Sequence, residues 1–430
     1  MKAICNLLGI ILLLSPVSLL SQEPVKVNTK RLEASILDLG KIGIDDKGTQ
    51  RVAFSDADIQ GREFVIKLMR DAGLEVSIDF AGNIIGKRAG KDNSLPTIAF
   101  GSHIDTVPNG GNYDGCVGSL AAIELINILN ENKIVTNHPL EVIIFSNEEG
   151  GVMGSRAISG ELPQEALSVV NSTGYSMGAG IKRLGGDPDR LSEVVRSGKN
   201  LLAFLELHIE QGGNLDQEGI DIGIVEGIVG LNWWDVTFTG FANHAGTTPM
   251  KNRKDALLAA AKFIQATNEA ALSLAGKQVA TVGRIAAYPG APNVIPGQVV
   301  LSLEIRDLST AVIQQLFNII KEKAAVIAEE SGVKIEFEAL STTGKPALTD
   351  PEIQEIIEAS AKELELSYMY MPSGAGHDAQ DMAIITPTAM IFIPSKAGIS
   401  HSPQEFSSAA DIANGANVLL STILKLDAPK

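Results

Sequence analysis

The chain has 430 residues, 45% of them hydrophobic, and a formal net charge of −16. That is too long for one ordinary domain and enough for two good cores. The negative balance excludes nucleic acid as a partner, because phosphates would be repelled by such a surface.

The chain opens "MKAICNLLGIILLLSPVSLLSQEP". A lysine, an apolar stretch and then small and polar residues follow the plan of a secretory signal peptide. The run is too short and too early for a membrane span. Cleavage is expected near Ser21, giving a secreted or periplasmic chain. The mature protein would keep Cys116 alone, so no internal disulfide is possible and the fold rests on packing and on metal.

From about 30 to 72 the periodicity is helical. "EVSIDFAGNIIGKRAG" reads as a hairpin with Asn83 near its turn. "TIAFGSHID" is a buried strand, and "CVGSLAAIELINILNEN" a helix opened by Gly115. "LEVIIFSNEEG" and "NLLAFLELHIEQG" are further strands with polar ends. Strands alternating with helices predict an α/β domain, a mainly parallel sheet flanked by helices. After about 226 the pattern changes. "NWWDVTFTGF", "KQVATVGRIAAY", "QVVLSLEIRDL" and "VKIEFEAL" read as strands, with helices at "KDALLAAAKFIQATNEAAL" and "AVIQQLFNIIKEKAAVIAEES". The order β-α-β-β-α-β is that of ferredoxin-like α+β domains. "PTAMIFIPS" then resumes the first pattern as a buried strand, and the last twenty residues form a helix. The predicted organisation is a leader over 1–21, a catalytic domain over 22–226 and 343–430, and a ferredoxin-like domain inserted over 227–342.

The chain has six histidines. His138 sits in an unremarkable context, whereas His103, His208, His244, His377 and His401 lie in Gly-rich or acidic ones. A strand end followed by a Gly-rich loop, as in "GSHIDTVPNGGNYDG", is where an α/β protein usually keeps its chemistry. A pair of metal ions needs neutral nitrogens, carboxylates and one carboxylate to bridge. His103, Asp114, His208, His401 and either Glu148 or Glu149 supply such a set. Asp105, two residues after His103, would face the same side of a strand and accept the second ring N–H of His103. Glu148 and Glu149 would point to opposite sides of a continuing strand, leaving one as ligand and the other as base. Taken alone, an acid pair there is a solvated strand end.

"GSHIDTVPNGGNYDG", "NEEG", "HIEQG", "NHAGTTPM", "PNVIPG", "LEIRDLS", "SGAGHDAQDM" and "GISHSPQEF" occur in this order. Together they resemble the carbamoylase and allantoate amidohydrolase branch of the M20 metallopeptidase family, from about residue 30 to the C-terminus. The resemblance implies a dinuclear metallohydrolase fold interrupted by a domain that dimerises. It implies one metal on His103, Asp114 and His208, and a second on Asp114, Glu149 and His401, with Asp114 bridging. Glu148 would be the general base, His244 the donor to the developing oxyanion, and Gln211, Asn293, Arg306 and His377 the substrate's partners. Arg306 ends a strand of the inserted domain and Asn293 precedes that strand, so both are expected on the substrate's α-carboxylate. On residues alone, Arg306 reads as a surface salt bridge with Asp307. The run "NEEGGVMGSR" departs from the bulkier "EEGSRF"-like form of many relatives, which bears on substrate shape.

The implied protein is a homodimer, joined through the inserted domain, with two divalent ions per subunit. Histidine and carboxylate ligands suit zinc, manganese or cobalt. Its substrate would be a small ureido or amide compound with a carboxylate. The expected reaction is hydrolysis of an N-carbamoyl-L-amino acid to amino acid, ammonia and carbon dioxide. Allantoate hydrolysis is the alternative, ahead of peptidase activity or a non-catalytic binding protein, which would have no need of Glu148.

Overall fold

The computed structural model describes residues 25–428, so the leader read at 1–21 lies outside the described residues. Among them, nine strands form one mixed sheet. Its centre is four parallel strands in the spatial order Leu140–Phe145, Thr97–His103, Leu201–Ile209, Thr388–Ile393. These are nearly continuous apolar runs, as expected of strands covered on both faces. Helices Thr29–Gly40, Asp56–Asp71, Cys116–Glu131, Pro351–Glu363 and Ala409–Leu426 bury one face through residues such as Leu32, Val65, Leu125, Ile357 and Leu419. The shorter helices Met153–Ser159 and Asp378–Met382 cover the other, through Ile158 and Met382. Antiparallel strands flank the centre: Ile84–Arg88 and Glu75–Ile78 on one side, Ile222–Ile228 on the other. Because the four central strands point the same way, their C-terminal ends deliver His103, His208 and the loops after Phe145 and Ile393 to one rim.

A second, antiparallel sheet spans Gly230–Thr239, Val279–Thr281, Ile285–Tyr288, Gln298–Asp307 and Lys334–Gly344. Helices Ala256–Ser273 and Thr310–Ser331 pack on one of its faces through Phe263, Leu316 and Ile320. "KQVATVGRIAAY", read as one strand, is two. Thr281 pairs with Glu304 and Ile285 with Leu301, so one extra residue bulges out at 282–284.

The helical stretch read over 30–72 is also two elements, separated by a small hairpin of Ile44–Asp45 with Gly48–Thr49. The break is organised by Arg51, fully buried, whose guanidinium donates to the carbonyls of Leu39 (3.1 Å), Ile42 (3.2 Å) and Ile104 (2.6 Å). Arg51 thus ties the C-terminal end of the first helix and the residues just beyond it to the loop after His103.

Candidate metal centre

His103 is the last residue of its strand and is 1% exposed. Its Nδ1 meets the main-chain carbonyl of Asp105 at 3.0 Å, which leaves Nε2 to face Asp114 Oδ1 (3.4 Å) and Glu148 Oε2 (3.6 Å). His208 is fixed the same way, Nδ1 to the Ile209 carbonyl at 2.9 Å and Nε2 at 3.1 Å from Asp114 Oδ1. Backbone carbonyls therefore set both rings so that their Nε2 atoms point at one carboxylate oxygen. Asp114 stands just before the helix Cys116–Glu131. Gly115 follows it with φ +62°, and a Cβ there would come within 2.3 Å of the His103 ring, so only glycine fits between them.

The other oxygen of Asp114 faces a different set. His401 Nε2 lies 3.3 Å from Oδ2 and 3.5 Å from Glu149 Oε2. Gln211 Nε2 donates to the same Oδ2 at 2.6 Å, and Ser400 Oγ at 3.1 Å. One carboxylate is thus shared by two triplets, His103–Asp114–His208 and Asp114–Glu149–His401, each with its donor atoms within 4.8 Å of one another. Asn147, Gln211 and His401 all hold positive φ, at 52°, 58° and 54°. Non-glycine residues in that region are uncommon and cluster at functional sites.

The electrostatics ask for cations. Burial, with Asp114 nearby, pushes the Glu149 carboxyl up to about 7. Burial likewise holds Glu148 well above the usual carboxylate range, helped by Asp378. Against burial, hydrogen bonding to His103 and the charge of His208 hold Asp114 well below it. His401, hydrogen-bonded to Asp114, is raised to about 9. Glu149 Oε1 is buried without a partner. Neutral-capable nitrogens and crowded carboxylates, one with an orphaned oxygen, form a donor set that fits divalent ions.

Several expectations are corrected. The Asp105 carboxylate does not take the His103 ring proton; it lies 3.8 Å from Nδ1 and accepts the backbone N–H groups of Glu148 and Glu149, each at 3.2 Å. The strand carrying the two acids stops at Phe145, so they diverge from a turn and not from a strand. His377 is 1% exposed and packs edge-on against His208, ring centroids 4.5 Å apart, with Nε2 on Ser373 Oγ at 2.9 Å. It backs His208 and presents no open face to a substrate. Burial, then the neighbouring His208, holds it well below the usual histidine range. Gln211 Nε2 is engaged by the shared carboxylate, whereas its Oε1 is buried without a partner. Arg306 pairs with Glu304, not Asp307, through Nε at 2.8 Å and Nη2 at 3.0 Å, while Nη1 donates to the Gly374 carbonyl at 2.7 Å. Arg306 is the penultimate residue of the strand Gln298–Asp307 and Asn293 precedes the strand's other end, with about 26 Å of strand between Gln298 and Arg306 at ~3.3 Å per residue. They cannot hold one carboxylate within one chain.

His244 lies on the small pair Asn243–His244 with Val294–Ile295, and Asn293 stands just before that pair, its carbonyl accepting the Ala245 N–H at 3.0 Å. Both are exposed. His244 Nδ1 accepts the N–H groups of Gly246 (3.0 Å) and Thr247 (3.2 Å), so the proton of the neutral ring is on Nε2.

Sequence reasoning missed Glu405 and Glu206. Glu405 is buried; its Oε1 accepts the N–H of Tyr113 (2.8 Å) and Asp114 (3.0 Å), and its Oε2 accepts Ser400 Oγ at 2.9 Å. Glu206 accepts Ser102 Oγ at 2.7 Å and the Ala379 N–H at 2.9 Å, and it shares a donor cluster with His208 and His377. Its spacing of two from His208 on one strand was the available signal.

Comparison with known proteins identifies the family. Residues 99–425 match the model of peptidase family M20/M25/M40. An N-carbamoyl-L-amino acid amidohydrolase of Geobacillus stearothermophilus is 40% identical over 406 residues, 93% of this chain and 99% of that protein. A ureidoglycolate hydrolase of Arabidopsis thaliana is 40% identical over 388 residues, 87% of this chain and 82% of that protein. Among solved structures, an amidase of the hydantoinase/carbamoylase family from Burkholderia multivorans superposes with a TM-score of 0.88 at 36% identity, covering 94% of this chain and 98% of that one. With the family model spanning most of the chain and such relatives matched nearly end to end, the chain belongs to the M20/M25/M40 family, on its hydantoinase/carbamoylase amidase branch.

Proposed function

We propose that this protein is a metal-dependent amidohydrolase that cleaves the carbamoyl C–N bond of N-carbamoyl-L-amino acids. The observation that carries the reading is the sharing of Asp114 by two donor triplets with Glu148 left over beside them. His103, Asp114 and His208 would hold one ion, and Asp114, Glu149 and His401 a second; zinc, manganese and cobalt suit these donors. Bound divalent ions acidify water and polarise a carbonyl oxygen.

The chain's own residues do the rest. Glu148 takes a proton from water and returns one to the leaving nitrogen. Asp105 holds the backbone of both glutamates, and so their separation. His377 supports the ring of His208 from behind in place of meeting substrate. Arg306 grips the substrate's α-carboxylate, since a guanidinium can hold it bidentately. His244, with its Nε2–H outward, donates to the developing oxyanion, and Asn293 accompanies it. These last two come from a second copy, in a homodimer joined through the inserted domain.

The test is ammonia release from N-carbamoyl-L-amino acids and from allantoate, after chelation and after adding back manganese, cobalt or zinc. Metal-dependent release from the first class supports the reading. Release from allantoate alone would replace it with the alternative, and none from either would end it. We also propose export, on the basic-then-apolar leader ending near Ser21. Intact mass of protein from its native host should show a start near residue 22; retention of Met1 would refute export.

A further inference from the structure

We propose that a cavity on the open face of the inserted sheet receives the substrate's side chain, and that Glu304 makes this subsite favour neutral and cationic side chains over acidic ones. The proposal rests on the reading that Arg306 holds the α-carboxylate.

The two helices of the inserted domain cover one face of its sheet. Alternation along the strands puts Trp233, Ser302, Glu304 and Arg306 on the other. The bulge at 282–284 stays bonded to Ser302, whose N–H donates to the Arg284 carbonyl at 3.0 Å, but its Gly283 carries no side chain, and a cavity of about 410 Å³ opens beside them. That volume lies in the range of sites that take small organic ligands. Trp233, Thr281, Ser302, Glu304 and Leu340 line it. Arg284 stands at the rim with its guanidinium on Asp235, so its charge is already matched.

Glu304 belongs to both features. It lines the cavity, and it chelates Arg306 through both carboxylate oxygens. The Trp233 indole N–H is its third donor. Half-burial works against its charge, but these donors hold it below the usual carboxylate range, so it stays ionised. Arg306 has five N–H donors. Glu304 occupies two and the Gly374 carbonyl one. Two remain for a substrate carboxylate, at the junction with the catalytic domain. A carboxylate seated there puts its α-carbon beside Glu304, with the cavity open to the side chain. The indole and Leu340 suit apolar and aromatic groups. With the substrate's carboxylate also on Arg306, one guanidinium faces two carboxylates, and the wall keeps a net negative charge that attracts a cation and repels a further carboxylate.

N-carbamoyl-L-glutamine and N-carbamoyl-L-glutamate have the same shape and differ in charge. The metal-loaded wild-type enzyme should prefer the glutamine compound by roughly ten- to a hundredfold in kcat/KM, the scale of a like-charge contact. Glu304→Gln should reduce that preference to about threefold or less, and should slow N-carbamoyl-L-lysine relative to both. Equal wild-type rates on the pair would overturn the subsite whether or not the variant folds. A preference unchanged in Glu304→Gln would overturn it too, leaving Glu304 as a prop for Arg306. Arg306→Ala, assayed on a carbamoyl amino acid and its uncharged amide, keeps the two readings apart. An unchanged acid-to-amide ratio removes the carboxylate grip and the subsite with it. A lost acid preference beside equal glutamine and glutamate rates removes the subsite alone.

Discussion

Glu148 and Glu149 are chain neighbours with different surroundings. Glu149 Oε2 faces His401 at 3.5 Å and joins a complete donor triplet, whereas Glu148 reaches only toward His103, at 3.6 Å. Glu148→Gln should therefore keep metal content near wild type and lose roughly 10²–10⁴-fold in kcat, the usual worth of a general base. His401→Ala should instead lower metal occupancy, measured by elemental analysis of dialysed protein. Metal lost from Glu148→Gln as well would reverse the two glutamates' roles. Both histidines of the first triplet were recognisable because each ends an apolar run, and a strand end is a place sequence can find. The exchange of Asp105 from ring acceptor to backbone anchor was not recognisable. It depends on the chain turning after Phe145 so that two N–H groups come round to one carboxylate.

The segment from Ser395 to Phe406 works as one element, although it holds little regular structure. Its Glu405 accepts the successive N–H groups of Tyr113 and Asp114, and its Ser400 donates to the Asp114 side chain. Glu405→Ala would leave two N–H groups unpaired in a buried place, at about 1–3 kcal/mol. We expect weaker metal binding by titration, and a lower melting temperature that excess metal partly restores by mass action. Melting unchanged in the apo protein would show that the anchor carries no load. "GISHSPQEF" was singled out for its histidine, yet its glutamate partners residues about 290 positions earlier, and no local pattern announces such a pairing. The same limit explains Asn293 and Arg306. They are near in sequence, and the strand between them carries them to opposite ends. Periodicity gave the elements; which ends meet is decided by strand order.

At the scale of the whole molecule, the arrangement predicts complementation. If His244 serves a second copy's centre, Glu148→Gln and His244→Ala should each be nearly inactive. Refolded together in equal amounts, they should regain about a quarter of wild-type activity, because half the dimers are mixed and each has one intact site. No recovery from a mixture that does form mixed dimers would return His244 to its own chain's centre.

The strand Thr388–Ile393 lies between Leu201–Ile209 and Ile222–Ile228. The two strands it separates are made early and sit close in the chain, but the one that joins them emerges from the ribosome some 160 residues later. During that delay the growing chain carries a gap with two unsatisfied strand edges, the kind of surface on which chains stick to one another. The second triplet waits longer still, since His401 follows that strand. His103, Asp114 and His208 are thus all made long before His401, yet the Glu405 that anchors Asp114 comes later still, so both triplets wait for the same late segment to be completed.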